Sequence, residues 1–277
     1  MRKLFLLALS VTVSTFSFSQ MQVGLFGGIS NYTGDLARRV FTPKLVKPAI
    51  GLNLGYELSP RVVLRGGVTF AKVAGDDRYN KDYLRQQRNL SFQSRITEYS
   101  LTGEFYTMNF DYKRWSPYVF AGLAVYRFNP YAQDSAGGKV YLRPLGTEGQ
   151  GLPGYSQSLV YSRTQLALPF GAGVKFALGE RFRLGAELGL RKLFTDYLDD
   201  VSNNYAAAPD LLAAKGPQAV EYAYRGDEIP GGNPAYPEKG AQRGSAKQKD
   251  WYYFTGLTLA YRFSLHGRDR YGCPAVQ

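Results

Sequence analysis

The side chains that most often carry catalysis are scarce in this sequence, and that scarcity limits the chemistry before any fold is considered. The 277 residues include one histidine, His266, and one cysteine, Cys273. A lone histidine argues against His-based metal sites, Ser-His-Asp triads and imidazole acid–base catalysis. A lone cysteine permits no internal disulfide. In an oxidising compartment, the thiol in Tyr271-Gly272-Cys273-Pro274 can cross-link to a partner or stay unused. Asp196, Asp199 and Asp200 offer three carboxylates to a hard cation such as Ca²⁺. Their spacing does not match an EF-hand loop, so they are expected to form a solvated cluster at the start of a long loop. Gly146-Thr147-Glu148-Gly149-Gln150-Gly151 has the glycines of a phosphate cradle but lacks the Lys-Ser/Thr and helix start that complete one. It reads as a turn-rich surface loop. No cofactor and no enzymatic activity are expected.

The charge is strongly positive, with 34 Lys plus Arg against 22 Asp plus Glu and a formal net charge of +12. Arg38, Arg39, Lys44 and Lys47 cluster early in the chain, and Arg268 and Arg270 near its end. No basic and aromatic platform for nucleic acid is evident. Outside the cytoplasm such charges meet anionic lipopolysaccharide or an acidic protein.

Targeting fixes the compartment. Arg2 and Lys3 precede the apolar run Leu4-Phe5-Leu6-Leu7-Ala8-Leu9, and a Ser/Thr-rich stretch ends in Ser17-Phe18-Ser19. This is the pattern of a secretory signal peptide over residues 1–19, cleaved after Ser19. No later segment approaches the ~18 consecutive apolar residues of a membrane helix. Beyond residue 19 the recurring signal is alternation with period two, the mark of strands with unlike faces. In 181–191, Phe182, Leu184, Ala186, Leu188 and Leu190 alternate with Arg181, Arg183, Gly185, Glu187, Gly189 and Arg191. The same division marks 22–30, 49–58, 61–71, 95–108, 117–128, 163–177 and 251–263, giving eight strands.

Connections between these strands alternate in length. Those at 31–48, 74–94, 129–162 and 192–250 are long, whereas 59–60, 109–116 and 178–180 are short. That asymmetry predicts an eight-stranded antiparallel transmembrane β-barrel, with long extracellular loops and short periplasmic turns. The barrel spans 20–264, a periplasmic tail spans 265–277, and the site is the outer membrane. Within the longest loop, 206–215 is expected to form a short helix capped by Asp210.

A secreted lipocalin-like barrel has the same strand count, but with an apolar lumen. The polar face separates the two. It carries Glu57, Arg65, Glu98, Glu104, Lys175, Arg183, Glu187 and Arg262, interleaved with glycines that include Gly67, Gly103, Gly173 and Gly185. Large charges beside glycines suit an ion-paired lumen, the glycines making room for side chains that cross it. Tyr56, Tyr99, Trp251, Tyr253, Tyr261 and Phe263 are expected in aromatic girdles. Eight strands leave an interior that side chains fill, so a plugged barrel is expected rather than a pore.

Four strings carry a family resemblance. They are residues 24–36 (GLFGGISNYTGDL), 117–122 (PYVFAG), 144–151 (PLGTEGQG) and 194–202 (FTDYLDDVS). Together they resemble the PorG-like outer-membrane proteins of the type IX secretion system in Bacteroidota. The resemblance implies a structural, non-catalytic barrel linked to a periplasmic ring of PorK and PorN proteins, and it carries over no site residues. A periplasmic partner can reach only the short turns and the tail. The expected contacts are therefore Asp111, Tyr112, Lys113, Arg114 and Trp115, with Arg268 and Arg270. A general outer-membrane adhesin, binding through its long loops, is the alternative.

Overall fold

The computed structural model describes residues 21–39, 41–80, 82–156 and 160–263. The signal segment 1–19 and the tail residues His266, Arg268, Arg270 and Cys273 lie outside the described residues.

Eight long strands form the wall: β1 (Met21–Thr33), β2 (Lys47–Ser59), β3 (Val62–Asp76), β4 (Ser91–Tyr106), β5 (Trp115–Arg127), β8 (Thr164–Leu178), β9 (Phe182–Leu193) and β10 (Trp251–Arg262). A short hairpin, β6 (Pro130–Gln133) with β7 (Lys139–Tyr141), continues the edge of β4 above β5. Every wall strand pairs antiparallel with its chain neighbours, and β1 pairs with β10 from Gln22↔Arg262 to Thr33↔Trp251. The cylinder is therefore closed, with no unpaired edge for lipid to leave unsatisfied.

Which face looks outward settles the solvent. Leu25, Ile50, Leu101, Leu123 and Leu257 are 55–64% exposed, whereas Glu98, Glu104 and Lys175 are at most 4% exposed. Leaving so many large apolar side chains in water would forfeit roughly 1.5–3 kcal/mol each. The belt therefore faces hydrocarbon, and the protein is an outer-membrane barrel rather than a soluble one with an apolar lumen. From Trp115 to Val125 on β5, the rise and tilt of a barrel strand give about 25 Å of height, the thickness of such a belt.

The glycines act where side chains crowd. A Cβ on Gly173 would lie 2.7 Å from the Tyr118 ring, and one on Gly189 would lie 2.4 Å from the Arg191 guanidinium. Gly103 differs from expectation. It has the opposite parity to Glu98 and Glu104 and faces outward, forming the floor of an apolar furrow with Ala121 and Ala172. Tyr99 sits in mid-strand because β4 runs on to Ser91, and Tyr253 is covered rather than exposed. Trp251 and Tyr261 do hold the two borders, edge-to-face with Phe170 and Phe182.

The long loops fold into a cap with its own core. Helices α1 (Tyr83–Arg88), α2 (Ala208–Lys215) and α3 (Pro217–Ala223) belong to it. Leu36, Phe92, Phe128, Leu198, Leu211 and Tyr222 are all at most 2% exposed and lie in one apolar cluster with the upper lumen. Helix α2 starts later than expected. Ala207 is its N-cap and Pro209 opens the first turn. Asp210 caps nothing and instead accepts a hydrogen bond from the Tyr155 hydroxyl at 2.7 Å.

Candidate functional site: a plugged lumen between a sealed cap and an exposed turn

Strand parity delivers the charged side chains of β3, β4, β8 and β9 to one level of the lumen. Arg65 bridges Glu104 at 2.9 Å and Glu187 at 2.8 Å, and Lys175 reaches Glu104 at 2.7 Å. Tyr118 donates to Glu187 at 2.7 Å, and Lys175 donates to the Tyr106 hydroxyl at 2.6 Å. Two cations thus face two carboxylates, with rings filling the gaps. Arg65 lies 4.9 Å from the Phe120 ring centre and Lys175 lies 4.8 Å from that of Tyr118.

One level higher, Glu98 accepts two hydrogen bonds from Arg191, each at 3.1 Å, and one from Tyr252 at 2.6 Å. Arg191 was visible on the charged face of 181–191, but nothing local marks it as the partner of a residue 93 positions away. The Glu57–Arg262 pair, 2.6 Å apart, sits at the periplasmic mouth and is partly exposed. Arg183 donates to the carbonyls of Gly179, Glu180 and Phe182 and lies 5.0 Å from the Phe110 ring centre.

The cap corrects two sequence expectations. Asp196, Asp199 and Asp200 are not solvated but at most 2% exposed, and Thr147 and Glu148 of the glycine-rich segment are equally buried. The two segments bind each other. Asp200 accepts hydrogen bonds from Thr147 and Tyr161, both at 2.7 Å. Glu148 accepts from the Ser202 and Asn203 amides and from Arg243 at 3.0 Å. Arg243 also donates to the Asp200 carbonyl at 2.7 Å and the Ala223 carbonyl at 3.1 Å. Its own carbonyl accepts from Arg88, which grips both oxygens of Asp77 at 2.6 and 2.7 Å. Arg243 therefore ties three loops together.

Beneath this knot, the Tyr32 hydroxyl lies 2.6 Å from Asp199 and 3.0 Å from Asp250. Burial pushes both carboxyls well above their ordinary range; the charge of Asp35 raises Asp199 further, and that of Asp199 raises Asp250. Asp200 is pushed up to about 6, mainly by burial and against the opposing pull of Arg243. Asp196 is pushed up to about 8, again chiefly by burial.

These carboxyls hold protons more tightly folded than unfolded. Their contribution to cap stability is complete below the ordinary carboxylate range and is lost as pH rises through about 6 and then about 8. Amide exchange in 194–204 is expected to accelerate beyond the intrinsic rate as pH rises from the ordinary carboxylate range to about 8, by up to roughly tenfold per pH unit for each titrating group. Asp196→Asn should remove the upper part of that rise. A flat, intrinsic-corrected profile would contradict it.

At the opposite end, residues 107–114 form the largest periplasmic turn. The Asp111 amide donates to the Asn109 side chain at 2.9 Å, and the Tyr112 and Lys113 amides donate to the Asn109 carbonyl. Phe110 packs edge-on to Tyr106 at 5.3 Å, stapling the turn to the lumen network. Asp111, Tyr112, Lys113 and Arg114 are exposed, Tyr112 at 85%. Trp115 faces outward at the lower border of the belt, at headgroup level rather than on the turn.

The family described as "Domain of unknown function (DUF6089)" matches residues 2–140. No curated protein is detectably similar in sequence. Among solved structures, similar chains include the Neisserial surface protein A (10% identity, TM-score 0.44, 88% of this chain and 97% of that one). Another is the attachment invasion locus protein Ail of Yersinia pestis in complex with sucrose octasulfate (11%, 0.41, 88% and 97%). The outer membrane protein OprG of Pseudomonas aeruginosa is a third (10%, 0.39, 87% and 96%).

Proposed function

The chain belongs to the DUF6089 family, and from that premise we propose that it is a non-enzymatic outer-membrane anchor that docks a periplasmic ring complex of the type IX protein secretion machinery. The observation that supports this reading is the 107–114 turn. It is pinned to the plug through Phe110, so its conformation is set before a partner arrives, and Tyr112, Lys113 and Arg114 project from it. Preorganised Tyr and Arg side chains are the kind that dominate protein interfaces. The resemblance of residues 24–36, 117–122, 144–151 and 194–202 to PorG-like proteins supports PorK- and PorN-type ring proteins as the partner in this reading. The packed lumen supports the same reading, since a barrel whose described interior is filled by Arg65, Glu104, Tyr118, Lys175 and Glu187 acts through its rims.

Tyr112→Ala with Lys113→Ala and Arg114→Ala is expected to lower in-cell crosslinking to periplasmic ring proteins roughly thirtyfold, as loss of about 2 kcal/mol at an interface would. Barrel assembly should be unchanged, because none of the three belongs to the network. Undiminished crosslinking would remove this assignment.

A surface-binding role is the second reading, favoured by Tyr83 and Leu84 on α1. They are 68% and 78% exposed at the extracellular tip. Tyr83→Ser with Leu84→Ser should then reduce surface attachment while leaving secretion intact.

A further inference from the structure

Outward positions alternate along each strand, and on β3, β4 and β5 the outward residue at the extracellular border of the belt is cationic. Beyond Phe70 on β3 the next outward residue is Lys72. On β4, Thr97 is followed by Arg95, and on β5, Val125 is followed by Arg127. These three strands are consecutive in the wall. The register sets Lys72 directly opposite Arg95, and Arg127 opposite Thr97, two residues from Arg95 on the same face.

Like charges placed opposite one another on an antiparallel pair destabilise it. The neighbouring carboxylates do not relieve the repulsion, because they are engaged elsewhere. Asp76 is held by Arg78 at 2.6 Å, Asp77 by Arg88 at 2.6 Å and Glu98 by Arg191 at 3.1 Å. Among the described residues, neither Lys72, Arg95 nor Arg127 has a carboxylate within ion-pair distance. The three cations therefore form a patch of one sign, on the membrane side of the wall, at the height where acyl chains end and headgroups begin.

We propose that Lys72, Arg95 and Arg127 bind the phosphorylated headgroup of an outer-leaflet glycolipid, lipid A. Charge complementarity selects the occupant. The ligand must be anionic, must sit in the headgroup layer, and must carry acyl chains that can lie on Phe70, Leu101 and Leu123 below. A lipid A phosphate meets all three conditions, whereas an acidic protein would have to displace the headgroups. Guanidinium forks on Arg95 and Arg127 match phosphate oxygens bidentately, and Lys72 adds a point charge. This site is on the opposite side of the membrane from the periplasmic turn and does not depend on the docking reading.

The test uses the purified full chain in detergent, with retained lipid read by native mass spectrometry. The probes are bisphosphorylated lipid A, the same lipid with both phosphates removed, and inorganic phosphate as competitor. The wild type should retain the bisphosphorylated form selectively. Lys72→Gln with Arg95→Gln and Arg127→Gln should weaken its binding by on the order of 100-fold, at about 1 kcal/mol per cation. Lys113→Gln with Arg114→Gln, on the periplasmic turn, should leave it unchanged. Heat-modifiable mobility on gels reports whether the triple variant is folded; if it is not, Arg95→Gln alone should cost about fivefold. Equal retention of the dephosphorylated lipid would show that only the acyl chains bind and would overturn the proposal. So would full displacement by inorganic phosphate, which would make the site one for free anions, or unchanged retention by the triple variant.

Discussion

Glu104→Gln should cost the barrel about 3–5 kcal/mol in lipid-bilayer unfolding experiments, the usual penalty for removing one partner of a buried ion pair. Glu104 is the shared carboxylate of Arg65 and Lys175 and is 1% exposed. Without its charge, two buried cations share only Glu187. The loss arises from the uncompensated cation and not from the missing contact, which a second variant can establish. Glu104→Gln combined with Lys175→Met restores neutrality, leaves Arg65 paired with Glu187 at 2.8 Å, and should recover most of the stability. If the double variant is as unstable as the single one, the balanced-charge account of the lumen is wrong.

Arg243→Met should release the cap while sparing the wall. The guanidinium joins Glu148, the Asp200 carbonyl and the Ala223 carbonyl, and its backbone carbonyl receives Arg88. Its removal leaves Glu148 buried without its cation, at a local cost of about 3–5 kcal/mol. That is comparable to the whole opening free energy of many loop units. Limited proteolysis should then cut within 143–160 and 203–248 at least a hundredfold faster, with β1 to β5 as protected as before. The two segments are 95 residues apart at the Arg243–Glu148 pair, so coordinated cleavage in both would show that they open together. Unchanged cleavage would show that apolar packing alone holds the cap.

The wall was legible in the sequence and the cap was not, for a physical reason. In 181–191, each residue's face follows from its own parity, and the contrast between Leu188 and Glu187 survives any detail of register. Connection lengths then fixed which ends were turns. Charged residues in loops carry no such local signal. Asp199 and Asp200 look solvated when read alone, and become buried only because Tyr32, Thr147, Tyr161 and Arg243 converge on them from distant positions. Arg191 was on the correct face, but its partner Glu98 is fixed by closure of the cylinder and not by neighbours in sequence. Gly103 shows the opposite lesson. It was grouped with the charged face by composition, although counting from Glu104 would have placed it on the lipid side. The α1 turn had local signals, with Asp82 as N-cap and Asn89 in the left-handed conformation after it, and they were masked by the surrounding loop.

The central claim, that apolar side chains face hydrocarbon and ionic ones fill a closed interior, is tested most directly by a nitroxide scan of β4 from 97 to 105 in bilayers. Collision with dissolved oxygen reports lipid exposure, and collision with a water-soluble nickel complex reports aqueous exposure. Positions 97, 99, 101, 103 and 105 should show strong oxygen collision, with 98, 100, 102 and 104 shielded from both reagents. High nickel accessibility at 98, 100, 102 and 104 would mean a water-filled lumen, and inverted phases would mean that the charged face looks out; either result would contradict the account.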